Sequence, residues 1–277
     1  YSGLEPRLSA KFELNEFSSL KASYARSNQY LHLLSNSSSG SPTDTWMPSS
    51  NNIKPEVSDQ VALGYFRNLK NNAYEFSAET YYKILDNAID YKNGAEISLN
   101  PIVEGELLFG EGRAYGLELF LKKKKGKFTG WISYTIAKSE NRFVGINKGE
   151  WYSAKQDRTH DLSIVGMYAL SERVKLSSTF VYYTGNAVTF PSGKYQIDNQ
   201  TINLYSDRNG SRMPNYHRMD IGLTWDGKKY KEIKNLETGE MEKVKKKFTS
   251  SWNFSIYNLY ARENAYSISF QEKEDNP

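Results

Sequence analysis

Apolar and polar residues alternate at every second position over long stretches of this chain. That period constrains its fold more than any other feature. At 74–84, Tyr74, Phe76, Ala78, Thr80, Tyr82 and Ile84 share one side, and Glu75, Ser77, Glu79, Tyr81 and Lys83 share the other. At 115–122, Tyr115, Leu117, Leu119 and Leu121 oppose Gly116, Glu118, Phe120 and Lys122. At 217–225, His217, Met219, Ile221, Leu223 and Trp225 oppose Arg218, Asp220, Gly222 and Thr224. A helix would need apolar spacings of three and four, so these segments read as strands. The pattern predicts strands near 5–14, 18–30, 58–67, 73–85, 113–122, 127–138, 160–170, 173–184, 215–226 and 247–260. A further stretch at 265–270 is either an eleventh strand or a continuation of the tenth past a break at Arg262–Asn264.

The connections alternate as well. Those near 15–17, 68–72, 123–126 and 171–172 are short. Those spanning 31–57, 86–112, 139–159 and 185–214 are long. The segment 227–246 falls at the short end but is long and highly charged. Short turns at one end and long loops at the other mark a transmembrane β-barrel rather than a soluble sandwich. The two faces agree. One is apolar and aromatic, as lipid demands, and the other carries isolated charges at Glu75, Glu79, Lys83, Glu118, Arg218 and Asp220. In a narrow barrel those charges would be buried at high cost. In a wide barrel they line a wet lumen or meet a plug. Tyr24, Tyr65, Tyr74, Tyr115, Trp131, Tyr182, Trp225 and Trp252 are placed to form interfacial girdles.

Composition bounds the chemistry. The 277 residues hold 36 Lys+Arg against 32 Asp+Glu, a net charge of +4 that says little about partners. Cysteine is absent, which excludes a disulfide scaffold and Cys-ligated metal. The three histidines, His32, His160 and His217, stand too far apart for a local metal motif. No apolar run is long enough for a membrane helix, but barrel strands face lipid with only half their residues. Aromatics make up 14% of a chain that is otherwise hydrophilic. The chain begins at Tyr1 and ends in the polar Gln271–Pro277. With an awkward strand count, it reads as one arc of a larger closed barrel.

Several blocks, taken in order, resemble one family. They are Gln29-Tyr-Leu-His-Leu-Leu-Ser35, Trp46-Met-Pro-Ser-Ser50, Ile53-Lys-Pro-Glu-Val-Ser-Asp-Gln60, Ala114-Tyr-Gly-Leu-Glu118, Ser133-Tyr-Thr-Ile-Ala-Lys-Ser139, Asp157-Arg-Thr-His-Asp161, Tyr183-Thr-Gly-Asn-Ala187, Arg212-Met-Pro-Asn-Tyr-His-Arg-Met-Asp220 and Trp252-Asn-Phe-Ser-Ile-Tyr-Asn-Leu-Tyr260. Together they resemble the TonB-dependent outer-membrane receptors of Bacteroidota. The resemblance implies an all-β, antiparallel barrel of 22 strands. Residues 1–277 would be its C-terminal part, about ten or eleven strands, with the N-terminal plug, the first barrel half and the last strand lying elsewhere. It also implies a Gram-negative outer membrane, contact with the TonB complex through the N-terminal part, a scarce solute captured by the loops, and room for a surface lipoprotein of the kind that caps some relatives. Nothing in it calls for a cofactor, a metal or nucleic acid.

Other motifs carry less. Asp157, His160, Asp161 and Ser163 suggest a catalytic set, but strand alternation separates them and no nucleophile elbow accompanies them. The plainer reading is a loop-to-strand junction in which Arg158 and His160 bond neighbouring loops. Gly110-Glu-Gly-Arg-Ala-Tyr-Gly116 lacks the spacing and the βαβ context of a dinucleotide site. Its Gly116 is expected to relieve crowding on the polar side of a strand. Asp207-Arg-Asn-Gly210 begins like a calcium loop, but Arg212 stands where glycine is required. The lysine runs 122–125 and 243–247 read as solvated turns at the short end, where lysines can also meet anionic head groups. Ser35–Ser41 reads as a flexible loop tip. Loop aromatics Tyr30, His32, Trp46, Tyr91, Trp151, Tyr152, Tyr195 and Tyr205 are candidate solute contacts, because exposed rings stack on ligands. Packing of loop on loop competes with that role. The transporter reading has three rivals. They are a barrel enzyme working through Asp157, His160 and Asp161, a passive porin, and a soluble β-protein.

Overall fold

The computed structural model describes residues 1–34, 45–95, 100, 102–197, 200–205, 207–234 and 239–268. Ten strands hydrogen-bond antiparallel, each to the next in the chain. They are β1 (Arg7–Asn15), β2 (Ser18–Gln29), β3 (Glu56–Leu69), β4 (Tyr74–Tyr91), β5 (Leu107–Lys123), β6 (Phe128–Phe143), β7 (His160–Ala169), β8 (Val174–Tyr183), β9 (Tyr216–Asp226) and β10 (Ser251–Ile256). All ten expected strands are present. Residues 265–268 form no strand, and the rest of that alternating stretch, like Ser35–Ser41, lies outside the described residues.

Short-turn chemistry explains the tight connections. Between β1 and β2 the Asn15 side chain accepts the Phe17 N–H. Between β3 and β4, Lys70, Asn71 and Asn72 take left-handed φ of 48°, 52° and 62°, where Asn is among the residues least penalised. Gly126 does the same between β5 and β6. Between β7 and β8, Ser171 Oγ accepts from Arg173 and Val174. The long connection from β9 to β10 also folds on itself, pairing Tyr230–Lys234 with Met241–Lys245 in a small hairpin.

The register turns the sequence period into two surfaces. Opposite partners share a face, so Val61, Tyr82 and Tyr115 fall in one row and Leu63, Thr80, Leu117 and Ile136 in the next. Farther along, Ile164 meets Phe180, Leu223 meets Phe254, and Trp225 meets Trp252. This face is a continuous apolar band whose large side chains are exposed, Leu117 at 40% and Trp252 at 59%. An exposed band of this extent needs an apolar environment outside the chain. Rings border it at both ends. Tyr82 stacks on Tyr115 and Tyr134 on His160 toward the long loops, and Tyr65 packs edge-on against Phe76 toward the short turns. Trp131 departs from the girdle expectation. It neighbours the band residue Ile132, so the strand period turns it to the polar face, where its ring packs on Phe120.

Strands β4, β5 and β6 run 18, 17 and 16 residues, longer than the roughly ten needed to cross a bilayer. Their excess rises at the long-loop end. That is where the buried residues gather. Leu34, Ile53, Tyr91 and Leu107 form one cluster, and Ala88, Phe143, Ile146 and Tyr152 a second. The compact core of this chain therefore lies where the loops pack on the strand tips, while the sheet is two-faced.

Candidate functional site

The polar face carries the expected charges. Glu79 stands opposite Glu118, Lys83 opposite Gln60, and Glu75 opposite Lys122 while pairing with Lys124 at 2.9 Å. Gly116 sits among them. A Cβ there would come within 2.9 Å of the Ile136 carbonyl oxygen, so the glycine permits close strand approach, as expected. At the long-loop end of β8, β9 and β10 the same face bears a denser group. Arg158 lies 4.0 Å over the Tyr183 ring, which stacks on Tyr216 at 4.5 Å and 1°. Arg218 donates to the Tyr216 hydroxyl at 3.0 Å and to the Tyr257 hydroxyl, and its guanidinium lies 4.1 Å over the Tyr257 ring. Asp220 holds Arg218 through Nε and Nη2 and also accepts the Asn258 N–H at 2.9 Å. Of this ladder the sequence pattern marked Arg218 and Asp220 as polar-face charges and Arg158 as a loop-bonding residue. Tyr183 and Tyr216 occupied quoted blocks, but their stacking depends on cross-strand register, which a sequence period alone does not fix.

The loop aromatics separate into two groups. Tyr30, Trp46, Tyr195 and Tyr205 are exposed. His32 and Tyr91 are buried in the loop core, His32 beside the Ser49 hydroxyl at 3.2 Å. Burial lowers the His32 pKa and keeps the ring neutral. Tyr152 is buried too, its hydroxyl 3.1 Å from Asp90, and burial raises its pKa. Trp151 is sandwiched by Arg113 at 4.1 Å and Arg142 at 4.9 Å. His32, Tyr91 and Tyr152 therefore pack inside the loops, Trp151 is half-buried, and Tyr30, Trp46, Tyr195 and Tyr205 are open to solvent.

Ion pairs and amides lock the loops together. Arg208 binds Asp90 at 2.9 Å, the Tyr91 carbonyl and Asn93. Asn147 and Arg208 exchange two hydrogen bonds. Glu104 accepts from Ser50 at 2.7 Å and from Asn52 at 2.6 Å, which holds its carboxyl below the usual range. Asp157 is buried, accepts the Ser139 N–H at 2.6 Å and pairs with Arg212. The arginine that spoils the calcium-loop pattern thus anchors a loop. Arg158 reaches Asn186, and His160 Nδ1 lies 2.8 Å from the Tyr134 hydroxyl. His160 shares the face of Ile136, whereas Asp161 and Ser163 project to the other. Asp157, Arg158 and His160 form the junction that the plainer reading expects. Among the described residues no cluster of His, Asp and Glu could hold a metal, and no helix is long and apolar enough to cross a membrane.

The family model for the TonB dependent receptor-like β-barrel matches residues 1–259. The chain belongs to this family. The receptor barrel's all-β antiparallel sheet is the architecture described above, and the family and its neighbours are outer-membrane receptors and transporters of Gram-negative bacteria. Three solved structures resemble it. The ferric-catecholate import receptor Fiu of Escherichia coli does so with TM-score 0.56 and 14% identity over 91% of this chain and 34% of Fiu. The siderophore receptor PiuA of Acinetobacter baumannii gives 0.54 and 16%, over 90% and 35%. The FrpB iron transporter of Neisseria meningitidis gives 0.53 and 14%, over 81% and 32%. The chain spans about a third of each receptor it matches. No curated protein matches it. These matches establish the receptor family and do not show the Bacteroidota type.

Proposed function

We propose that this receptor-barrel chain is the C-terminal arc of an outer-membrane importer. Its long loops capture a scarce solute, and TonB, acting on an N-terminal plug outside these residues, supplies the energy for passage. One observation carries the proposal. The sheet carries an apolar face across its ten strands, and its opposite face is largely polar with charges scattered over most of them, as a wide, lipid-embedded barrel requires. In this reading Glu75, Glu79, Lys83, Glu118, Arg218 and Asp220 face the plug and solute path. The short turns lie in the periplasm and the interlocked loops outside the cell. The solute we place first is a negatively charged iron chelate. Arg158, stacked on Tyr183, offers charge and ring surface together, and the three structures named above are a ferric-catecholate import receptor, a siderophore receptor and an iron transporter. Tyr30, Trp46, Tyr195 and Tyr205 offer further ring contacts. The same reading leaves room for a capping lipoprotein.

No chemistry on the solute is needed, so the reading is that of a transporter rather than an enzyme. A passive porin would need no motor. Uptake of a radiolabelled ferric catecholate by cells carrying the complete receptor decides between them. Uptake that stops when TonB is deleted supports the proposal. Equal uptake with and without TonB favours the porin.

A further inference from the structure

The two ends of the apolar band treat their cations differently. At the long-loop end every outward cation of the girdle rows is neutralised. Arg26 grips Asp59 at 2.7 Å, Arg113 and Lys138 share Glu140 at 2.7 and 2.6 Å, and Arg142 meets Glu111 at 2.8 Å. At the short-turn end four cations lie on rings without a carboxylate partner among the described residues. Lys123 lies opposite Tyr74 in the register, so it projects from the lipid-facing side. Its ammonium is 5.8 Å from the Tyr74 ring and 5.7 Å from the Phe128 ring. Lys70 caps Tyr74 at 5.7 Å, Arg173 caps Trp225 at 5.8 Å, and Lys247 caps Phe248 at 5.8 Å. None of these four pairs with a carboxylate among the described residues.

We infer that this cation-on-aromatic collar is a binding surface for anionic phospholipid head groups of the periplasmic leaflet. Rings at a bilayer interface lie at head-group depth, so a cation resting on such a ring is held at the level of lipid phosphate. With no protein carboxylate beside it, its counter-charge must come from the leaflet. A zwitterionic lipid brings its own cation along with its phosphate, and a lipid of net negative charge does not, so the surface selects the latter. The base of the Tyr230–Lys245 hairpin reinforces the field with Lys228, Lys229 and Lys246, all exposed.

This inference rests on the barrel reading proposed above, and the test separates the two. The complete receptor is reconstituted into vesicles of equal phosphatidylethanolamine and phosphatidylglycerol, then extracted, and its retained lipids are counted by native mass spectrometry. Wild type should retain phosphatidylglycerol in preference. Replacing Lys70, Lys123, Arg173 and Lys247 by Gln should lower that preference by about fivefold per charge removed, with heat-modifiable gel mobility intact. A K138Q/R142Q variant at the opposite end should keep it. Equal retention of the two lipids by wild type, or a preference that survives the fourfold substitution or disappears with K138Q/R142Q, would overturn the collar. Failure of wild type to insert at all would instead sink the barrel reading.

Discussion

At the level of single residues, the buried groups of this chain hold loops in place. Asp157 is fully enclosed, with one oxygen on a backbone amide and the other on Arg212. Truncating it strands both donors. Asp157→Ala should cost about 1.5–3 kcal/mol of local stability, seen as faster hydrogen exchange at the Ser139 amide. His160→Ala removes a hydrogen bond and a ring stack, both to Tyr134, and should leave solute uptake near wild type. A loss of uptake with folding intact would revive the enzyme reading. Titration is directional as well. His32 has a folded pKa below its unfolded value of about 6.5, so its contribution is complete above that pH. It declines as pH falls toward the folded pKa, because the opened loop binds the proton more tightly. Glu104, also depressed, loses its contribution at lower pH, as its clasp on Ser50 and Asn52 protonates. An NMR titration of the His32 ring in the complete receptor should place its midpoint below 6.5, and a midpoint above that value would contradict the burial. The junction at Asp157–His160 was legible in the sequence, but which loop rings are buried and what Glu104 grips were not. A tyrosine or histidine in a loop looks the same whether it faces solute or packs inward, and burial is decided by contacts such as Leu34 with Tyr91 across long separations.

At the level of strands, the sequence was far more informative. A two-residue period with lipid on one side leaves every strand its own record, and all ten segments appear in the sheet. Strand ends were less legible. Strands β4, β5 and β6 extend beyond the expected bounds, because Asp86–Tyr91 and Leu107–Gly112 pair above the apolar band and no longer need lipid-facing residues. Trp131 shows the converse limit. A ring near a strand end suggested a girdle, but parity decides its face. Substitutions should follow parity too. Leu117→Arg, in the middle of the band, should cost about 2–4 kcal/mol, whereas Glu118→Gln next to it should be nearly neutral. Urea or guanidinium midpoints of the complete receptor in lipid measure both. Similar costs at the two positions would mean that the faces are not lipid and lumen.

At the scale of the molecule, the chain is a curtain of strands, and in the reading proposed above a further arc and a plug complete the barrel. The blocks Tyr183–Ala187 and Arg212–Asp220 fasten loops to strand tops, through Arg158 on Tyr183 and Arg212 on Asp157. The solute is less legible, since it is met by surface rings and by side chains brought together from several strands. The central claim is that the two faces meet lipid and water. The chain has no cysteine of its own, which makes it suited to the test. Single cysteines placed in turn from 115 to 122 in the complete receptor are spin-labelled, and their collision rates with oxygen and with an aqueous nickel chelate are compared. The account predicts a two-residue oscillation, oxygen access peaking at 117, 119 and 121 and nickel access at 116, 118 and 120. A flat profile, or equal nickel access at both parities, would contradict it.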